Sequence, residues 1–434
     1  MRRQHAAPAV IATSLLLGSV SSVPALAKQD EPVLNNAYQQ WSTQTEFAAG
    51  SFAGTTIDGG AITIDAPSGT FDYTDPFGDG STVTYDVATW TSPEIDPGFD
   101  YTQLIASWNA RTPEGTWIQI GVSGLADDGT ESKEYILGRW ADDESTIHRT
   151  SVPSQGDGLN FVAIDTLISY DGRSMQTWKL TVSLFRKSGS TASPSISLIG
   201  AVASDLPEKL KAAKEPSPLG GAQGIELAVP TYSQETHIGH YPEFNGGGEA
   251  WCSPTSTAMI LGYWQQTHGE QYGPSPADYA WVDTTDDDPY VDHSAARTYD
   301  WNYDGTGNWP YNTAYAGTFG LESFVTRLRD LNEAEQFIRA GIPLVVSLSF
   351  KKNELTGAGY GTNGHLLTII GFTEDGDVIV NDPASHLIPS NDEVRVVYDR
   401  LEFENVWVPH SGGVAYVIRP GDVQLPSAPD QANW

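Results

Sequence analysis

Glu249-Ala-Trp-Cys-Ser-Pro-Thr-Ser-Thr-Ala-Met-Ile-Leu-Gly-Tyr-Trp264 holds the only cysteine of the 434 residues and reads as the start of a helix with that thiol at its mouth. Ser253 and Thr255 are cap-type residues, and Pro254 fits a first turn because its missing N–H would go unpaired there anyway. Behind them Ala258, Met259, Leu261, Tyr263 and Trp264 supply apolar side chains at helical spacing. A thiol at a helix N-terminus meets the positive end of the backbone dipole, which favours the nucleophilic thiolate. A buried, inert cysteine is the competing reading.

The N-terminus gives that thiol a compartment. Arg2 and Arg3 precede the apolar run Ala9–Val20, and Ala25-Leu-Ala27 offers small residues for cleavage before Lys28. Residues 1–27 therefore read as a secretory signal, and the mature protein is expected to be secreted and extracellular. No later run approaches the roughly 18 apolar residues of a membrane helix. A lone cysteine cannot form an internal disulfide, and an oxidising compartment makes a free thiol a liability. The net charge of −32 argues against nucleic acid and membrane surfaces as partners.

A chain of this length predicts two domains, and a hydrophobic fraction of 39% predicts globular ones. Residues 28–203 are β-rich. In Trp178–Leu184, Trp178, Leu180, Val182 and Leu184 face one way and Lys179, Thr181 and Ser183 the other. Trp117–Val122 and Phe161–Ile168 are further strands, and the spacing of turns predicts an antiparallel β-sandwich, jelly-roll-like. Trp90, Trp108, Trp117 and Trp140 would form either its core or a carbohydrate-binding surface. Residues 204–226 concentrate lysine, proline and glycine and read as a linker.

The second domain spans 227–420, followed by a tail over 421–434. Gly239–Gly248 is a Gly-rich insertion ahead of the cysteine. The aromatic, acidic segment 273–317 predicts short helices and a large surface loop. A helix over Glu333–Ala340, capped by Asn332 and stopped by Gly341, precedes strands at Leu344–Phe350, Leu366–Phe372, Asp377–Asp382, Val394–Tyr398 and Val414–Ile418. Helices first and an antiparallel sheet afterwards make an α+β pattern.

A cysteine nucleophile needs a base, an orienter for the base, and a donor for the oxyanion. His365 opens one strand and Asp382 closes the next. If the two strands pair through the Asp375-Gly376 turn, the carboxylate comes beside the imidazole. His240 and His386 are alternative bases. Asn381 is the competing orienter, although alternation points it to the other face. Gln234 is a candidate oxyanion donor beside the N–H of Cys252.

Val229-Pro-Thr-Tyr-Ser-Gln234, Trp251-Cys-Ser-Pro-Thr-Ser256, Gly364-His-Leu-Leu-Thr-Ile-Ile-Gly-Phe372 and Val380-Asn-Asp-Pro383 stand in an order that resembles the papain-like cysteine peptidases of family thirty-nine, which include bacteriocin-processing peptidases. More narrowly they resemble secreted actinobacterial relatives with an N-terminal β-domain. The resemblance implies a papain-like cysteine peptidase domain in which Cys252 is the nucleophile, His365 the general base and acid, Asp382 its orienter, and Gln234 a wall of the oxyanion hole. The 18 positions from Gln234 to Cys252 exceed the family's usual gap, so the insertion must loop out.

The expected partner is a peptide or protein substrate, with peptidoglycan peptides as a second option. The same site would also serve acyl transfer or deamidation, and a non-catalytic cell-wall-glycan-binding protein is the reading from a different class. No cofactor is expected. Asp300-Trp-Asn-Tyr-Asp-Gly305 matches the first half of an EF-hand loop, but its twelfth position is Tyr311. One cysteine and scattered histidines do not make a zinc ligand set, so no metal is expected either.

Overall fold

Alternating apolar and polar residues build thirteen strands in the first half of this computed structural model, which describes residues 34–434 except Glu208. In chain order these are β1 (Asn35–Trp41), β2 (Ser51–Ala53), β3 (Thr55–Asp58), β4 (Ala61–Ile64), β5 (Gly69–Thr74), β6 (Thr82–Thr91), β7 (Gln103–Arg111), β8 (Thr116–Ser123), β9 (Tyr135–Trp140), β10 (Asn160–Ala163), β11 (Thr166–Ser169), β12 (Lys179–Lys187) and β13 (Ser195–Asp205). A one-turn helix, α1 (Gln44–Phe47), is closed by a Thr43–Glu46 capping box. Residues 1–27, read above as a secretory signal, lie outside the described residues.

The strands form two antiparallel sheets. One runs β10-β11-β7-β13-β4-β3 with β1 also on β13, and the other runs β2-β6-β12-β8-β9 with β5 on β6. Their inner faces share one core, with Trp90, Ile120 and Val182 from one sheet and Trp108, Ile199 and Ala201 from the other. Trp90, Trp108 and Trp117 are 0% exposed and Trp140 is 1%, so these four rings fill cores and offer no face to a sugar. Phe161–Ile168 is a hairpin and not the single strand its apolar run predicts. Ile164 breaks it with a φ of 61°, in the left-handed region that β-branched residues avoid.

The second half contains α2 (Cys252–His268), α3 (Pro289–Thr298), α4 (Trp309–Gly317), β14 (Glu322–Arg327), α5 (Leu331–Arg339), β15 (Leu344–Phe350), β16 (Thr362–Phe372), β17 (Val378–Asn381), β18 (Arg395–Tyr398), α6 (Arg400–Ser411) and β19 (Val414–Arg419). Its antiparallel sheet runs β14-β19-β15-β16-β17-β18, so the whole chain is α+β. Helix α2 packs on β15 and β16 and is covered by α3 and α4, so Ser253 through Gln265 are all buried and the helix lacks a polar face. Segment 273–317 supplies the expected short helices as α3 and α4, whose packed faces lie in the interior, while residues 273–288 form the expected loop. Helix α5 is capped by Asp330, two residues before Asn332. Helix α6, read as no element from the sequence, is capped by Asp399 and buries Phe403, Val406 and Trp407.

The halves are joined by polar groups that complete a sheet edge. β14 pairs only with β19, and its other edge meets β7. There the Asn109 side chain donates to Ser323 O at 2.8 Å and accepts from Ser323 N at 3.0 Å, while Val325 N donates to Ser107 Oγ at 2.8 Å. Tyr311 and Ala314 of α4 enter the sandwich core. The connecting segment lies against the second half, where Glu335 accepts from the N–H groups of Gly220 and Ala222 at 2.8 and 2.9 Å. The tail returns to the first strand, with Tyr38 N bonded to Ala432 O at 2.9 Å.

Asn109 substitutes for a missing strand, so Asn109→Ala should strand buried backbone groups of Ser323 and cost roughly 2–4 kcal/mol. Denaturant unfolding followed by calorimetry should show one cooperative transition with a lowered midpoint. Two transitions with the second half unaffected would contradict the joint described above.

Candidate active site

Cys252 is the first residue of α2 and remains partly exposed, although the helix behind it is buried. Neither proposed cap residue caps: Ser253 Oγ meets Tyr416 OH at 2.9 Å, and Thr255 Oγ1 turns back to Trp251 O at 2.6 Å. The N-cap position is Trp251, which provides no side-chain hydrogen bond, so first-turn N–H groups stay available at the mouth. Ser256 Oγ bonds Leu366 O at 3.1 Å, which fixes the register of α2 on β16 next to His365.

β16 and β17 pair antiparallel as the Asp375-Gly376 turn predicts, with Thr368 opposite Asn381 and a bulge between Ile369 and Gly371. This pairing brings His365 Nε2 to 2.8 Å from Asp382 Oδ1. The other ring nitrogen, Nδ1, is left for the thiol. Asn381 faces away and donates to Val229 O and Pro230 O at 3.3 and 3.1 Å. His386 pairs with Ser385 Oγ at 2.9 Å, and His240 lies beside Asp292; neither has a hydrogen bond to Asp382.

Asp382 is fully buried, and its carboxylate is held by more than the imidazole. Tyr360 OH donates to both oxygens at 3.0 and 2.9 Å, Tyr398 OH to Oδ2 at 2.7 Å, and the N–H of Ala384 to Oδ1 at 3.0 Å. Burial works to raise its pKa, but His365 and the two phenols outweigh it and hold the carboxyl below its ordinary range. For His365, burial favours the neutral ring, yet Asp382 and Cys252 push its pKa up to about 10. Burial likewise acts to raise the Cys252 thiol, while His365 and the N–H groups of Leu366 and Ser253 carry it below its usual value. The three directions agree on a thiolate–imidazolium pair backed by a carboxylate. Tyr360 and Tyr398 were not legible beforehand, because nothing in a one-dimensional pattern marks a core tyrosine as donor to a remote carboxylate.

Gln234 opens a one-turn 3-10 helix, and its N–H bonds Pro383 O at 3.0 Å, beside Asp382. Its side-chain Nε2 donates one hydrogen to Glu249 O at 2.9 Å and retains a second, and the residue lines the same cleft as Cys252. The insertion between the two does loop out. It closes on itself at Ile238 and Gly247, and a Cβ at Gly248 would lie 2.3 Å from Gln234 O, so only glycine admits this approach.

The cleft has a volume of about 850 Å³ and is lined by both halves of the chain. Cys252, His365, Gln234 and Tyr360 come from the second half. Ile164 and Asp165 come from the β10–β11 turn, which is pinned by Trp309 N donating to Asp165 Oδ2 at 2.8 Å. Burial pushes Asp165 up to about 6 and Arg327, on the same wall, down to about 10.

The EF-hand-like segment has another task. Asp300 Oδ1 accepts from Ser151 N at 3.0 Å and Asn302 N at 3.1 Å, and Oδ2 accepts from Asn308 Nδ2 at 3.0 Å. Its oxygens thus tie the loop to the sandwich, with donor N–H groups placed where a calcium ion would need acceptors.

Residues 37–204 match the family described as the Peptidase C39 N-terminal domain, and residues 226–414 match the Peptidase C39 like family. No curated protein matches the chain. Among solved structures, a candidate C39-like peptidase from Bacillus anthracis is 18% identical over 45% of this chain and 97% of its own, with a TM-score of 0.27. TmCBM61 in complex with β-1,4-galactotriose is 11% identical over 38% of this chain and 86% of its own, with a TM-score of 0.16. No helix among the described residues is long and apolar enough to cross a membrane. The two family matches run in sequence along the chain, so that residues 37–204 are similar to the N-terminal domain of C39 peptidases and residues 226–414, which carry Cys252, His365 and Asp382, are similar to the C39-like family.

Proposed function

We propose that this chain is a secreted cysteine peptidase that hydrolyses peptide bonds through Cys252, His365 and Asp382. The observation that carries the reading is the His365–Asp382 contact of 2.8 Å, made through Nε2 and leaving Nδ1 for a thiol whose pKa is lowered. The thiolate sulfur attacks the amide carbonyl carbon, and the C=O electrons move onto oxygen. The oxyanion meets the N–H of Cys252 and the second N–H of Gln234. Imidazolium His365 gives its proton to the departing amine, the C–N bond breaks, and a thioester remains. Neutral His365 then takes a proton from water, which attacks the thioester and releases the acid and the thiolate. Asp382 keeps the ring oriented throughout.

A cleft walled by both halves suits an extended peptide that touches the sandwich as well as the peptidase half. Peptides are the proposed substrate class, with peptidoglycan cross-links as the second option. Acyl transfer and deamidation would share the first step, and product analysis with an added amine separates them.

Cys252→Ala should lower turnover of a peptide substrate roughly a thousandfold or more while circular dichroism stays unchanged. Parent-level hydrolysis by that variant would end the proposal. Iodoacetamide alkylation followed against pH should show a midpoint below the ordinary thiol value of about 8.5. In His365→Ala the midpoint should rise, since burial then acts on the thiol unopposed by the imidazole. A normal midpoint that ignores His365→Ala would favour a non-catalytic binding protein. Tyr398→Phe removes one donor to Asp382, worth about 1 kcal/mol, so kcat should fall roughly three- to tenfold with KM kept. An unchanged kcat would show that the phenol only fills space.

A further inference from the structure

The insertion between Gln234 and Cys252 carries a second cluster of polar side chains, remote in type from the thiol site. The 3-10 helix Gln234–His237 and the turn after it bring His237 and His240 against Asp292 of α3. Their candidate ligand atoms all lie within 4.8 Å of one another. His237 and Asp292 are 0% exposed at their side chains, and His240 is 26% exposed. His237 Nδ1 stands 3.1 Å from Asp292 Oδ2, and His240 Nδ1 stands 3.4 Å from Asp292 Oδ1.

These are contacts without hydrogen-bond alignment. Both nitrogens of His237, Nδ1 of His240 and both oxygens of Asp292 have no hydrogen-bond partner among the described residues. Buried polar atoms are otherwise nearly always paired, because leaving them unpaired costs their full desolvation. Close approach without alignment is what lone pairs do when they converge on a common point. A tetrahedron of metal–ligand bonds of about 2.0–2.1 Å has edges of about 3.3 Å; each imidazole stands near that distance from a different oxygen of Asp292, so the carboxylate faces both rings at the spacing a shared ion requires. Asp286 Oδ1 lies 3.6 Å from His240 Nε2, the face a carboxylate occupies when it orients a metal-bound imidazole.

We propose that His237, His240 and Asp292 bind a zinc ion, with water in the fourth position and Asp286 orienting His240. Two imidazoles and one carboxylate suit zinc, whereas calcium and magnesium take oxygen ligands. The expectation of no metal rested on how scattered the histidines are in sequence; the fold gathers two of them within one turn and supplies the carboxylate from a helix more than fifty positions on. The ion would fasten the insertion to α3. It would thereby hold Gln234, at the head of the same 3-10 helix as His237, in its place beside the cleft.

The test uses the untagged full chain, stripped with a chelator, dialysed and titrated with zinc chloride alone, with bound metal counted by mass spectrometry. The expected result is one equivalent of zinc, retained in Cys252→Ala, and a rise in melting temperature on loading. Cobalt loading should give the visible absorption of a tetrahedral site. Asp292→Asn and His240→Gln should each weaken zinc binding at least about tenfold, and Asp286→Asn about 10–100-fold. His240 is partly exposed, so His240→Gln decides the matter if the Asp292 variant fails to fold. Absence of binding at micromolar zinc, or full binding in His240→Gln, overturns the proposal and leaves a histidine–aspartate ion pair. Loss of the equivalent in Cys252→Ala overturns it too, because the ion would then sit on the thiol.

Discussion

A carboxylate with no exposure to water has to find its solvation in the protein, and Asp382 finds it in four donors drawn from separate segments. Tyr360 comes from the loop before β16, His365 from β16 itself, Tyr398 from the end of β18, and the Ala384 N–H from the turn after β17. Any one of these in the wrong place would leave a buried charge short of a partner, which costs more than a missing apolar contact. The strands of this part of the sheet are therefore aligned by a polar requirement as well as by the hydrophobic one. The imidazole inherits its orientation from that arrangement, and the thiol inherits its acidity from the imidazole.

Much of this was readable from residue order, and the parts that were not have a common cause. The β16–β17 hairpin could be inferred because Asp-Gly turns and alternation are local signals, and the His365–Asp382 pairing follows from antiparallel geometry. The thiol at a helix start was also local. The caps were less secure: Ser253 and Thr255 have cap chemistry, but Tyr416 and the Trp251 carbonyl outbid the helix end for their hydroxyls. Where helices α3 and α4 begin and end within segment 273–317 was not readable, because their covering comes from the distant sandwich and from α2. The same blindness hid Tyr360 and Tyr398, whose roles exist only once Asp382 is folded between them.

The sandwich is more than a passenger. Its β10–β11 turn forms one wall of the cleft, and Asp165 there is fixed by the first turn of α4. The tryptophans that might have served as a sugar platform are spent on its interior. What the first half presents to the site is instead a tight turn with an exposed Ile164 in a conformation unusual for its type. Such a conformation persists where its surroundings over-determine it, and here the adjacent Asp165 is held by the Trp309 N–H of the other half of the chain.

The seam through Asn109 and Ser323 joins residues 214 positions apart, and Tyr38 waits for Ala432. On a ribosome the first sandwich strands emerge long before either partner exists. The completed topology has high contact order, so it favours slow, late consolidation over domain-by-domain maturation. Until β14 arrives, β7 presents buried-type polar groups and apolar surface to solvent. The cleft wall and the Cys252 site beside it thus consolidate together, once both halves of the chain are present.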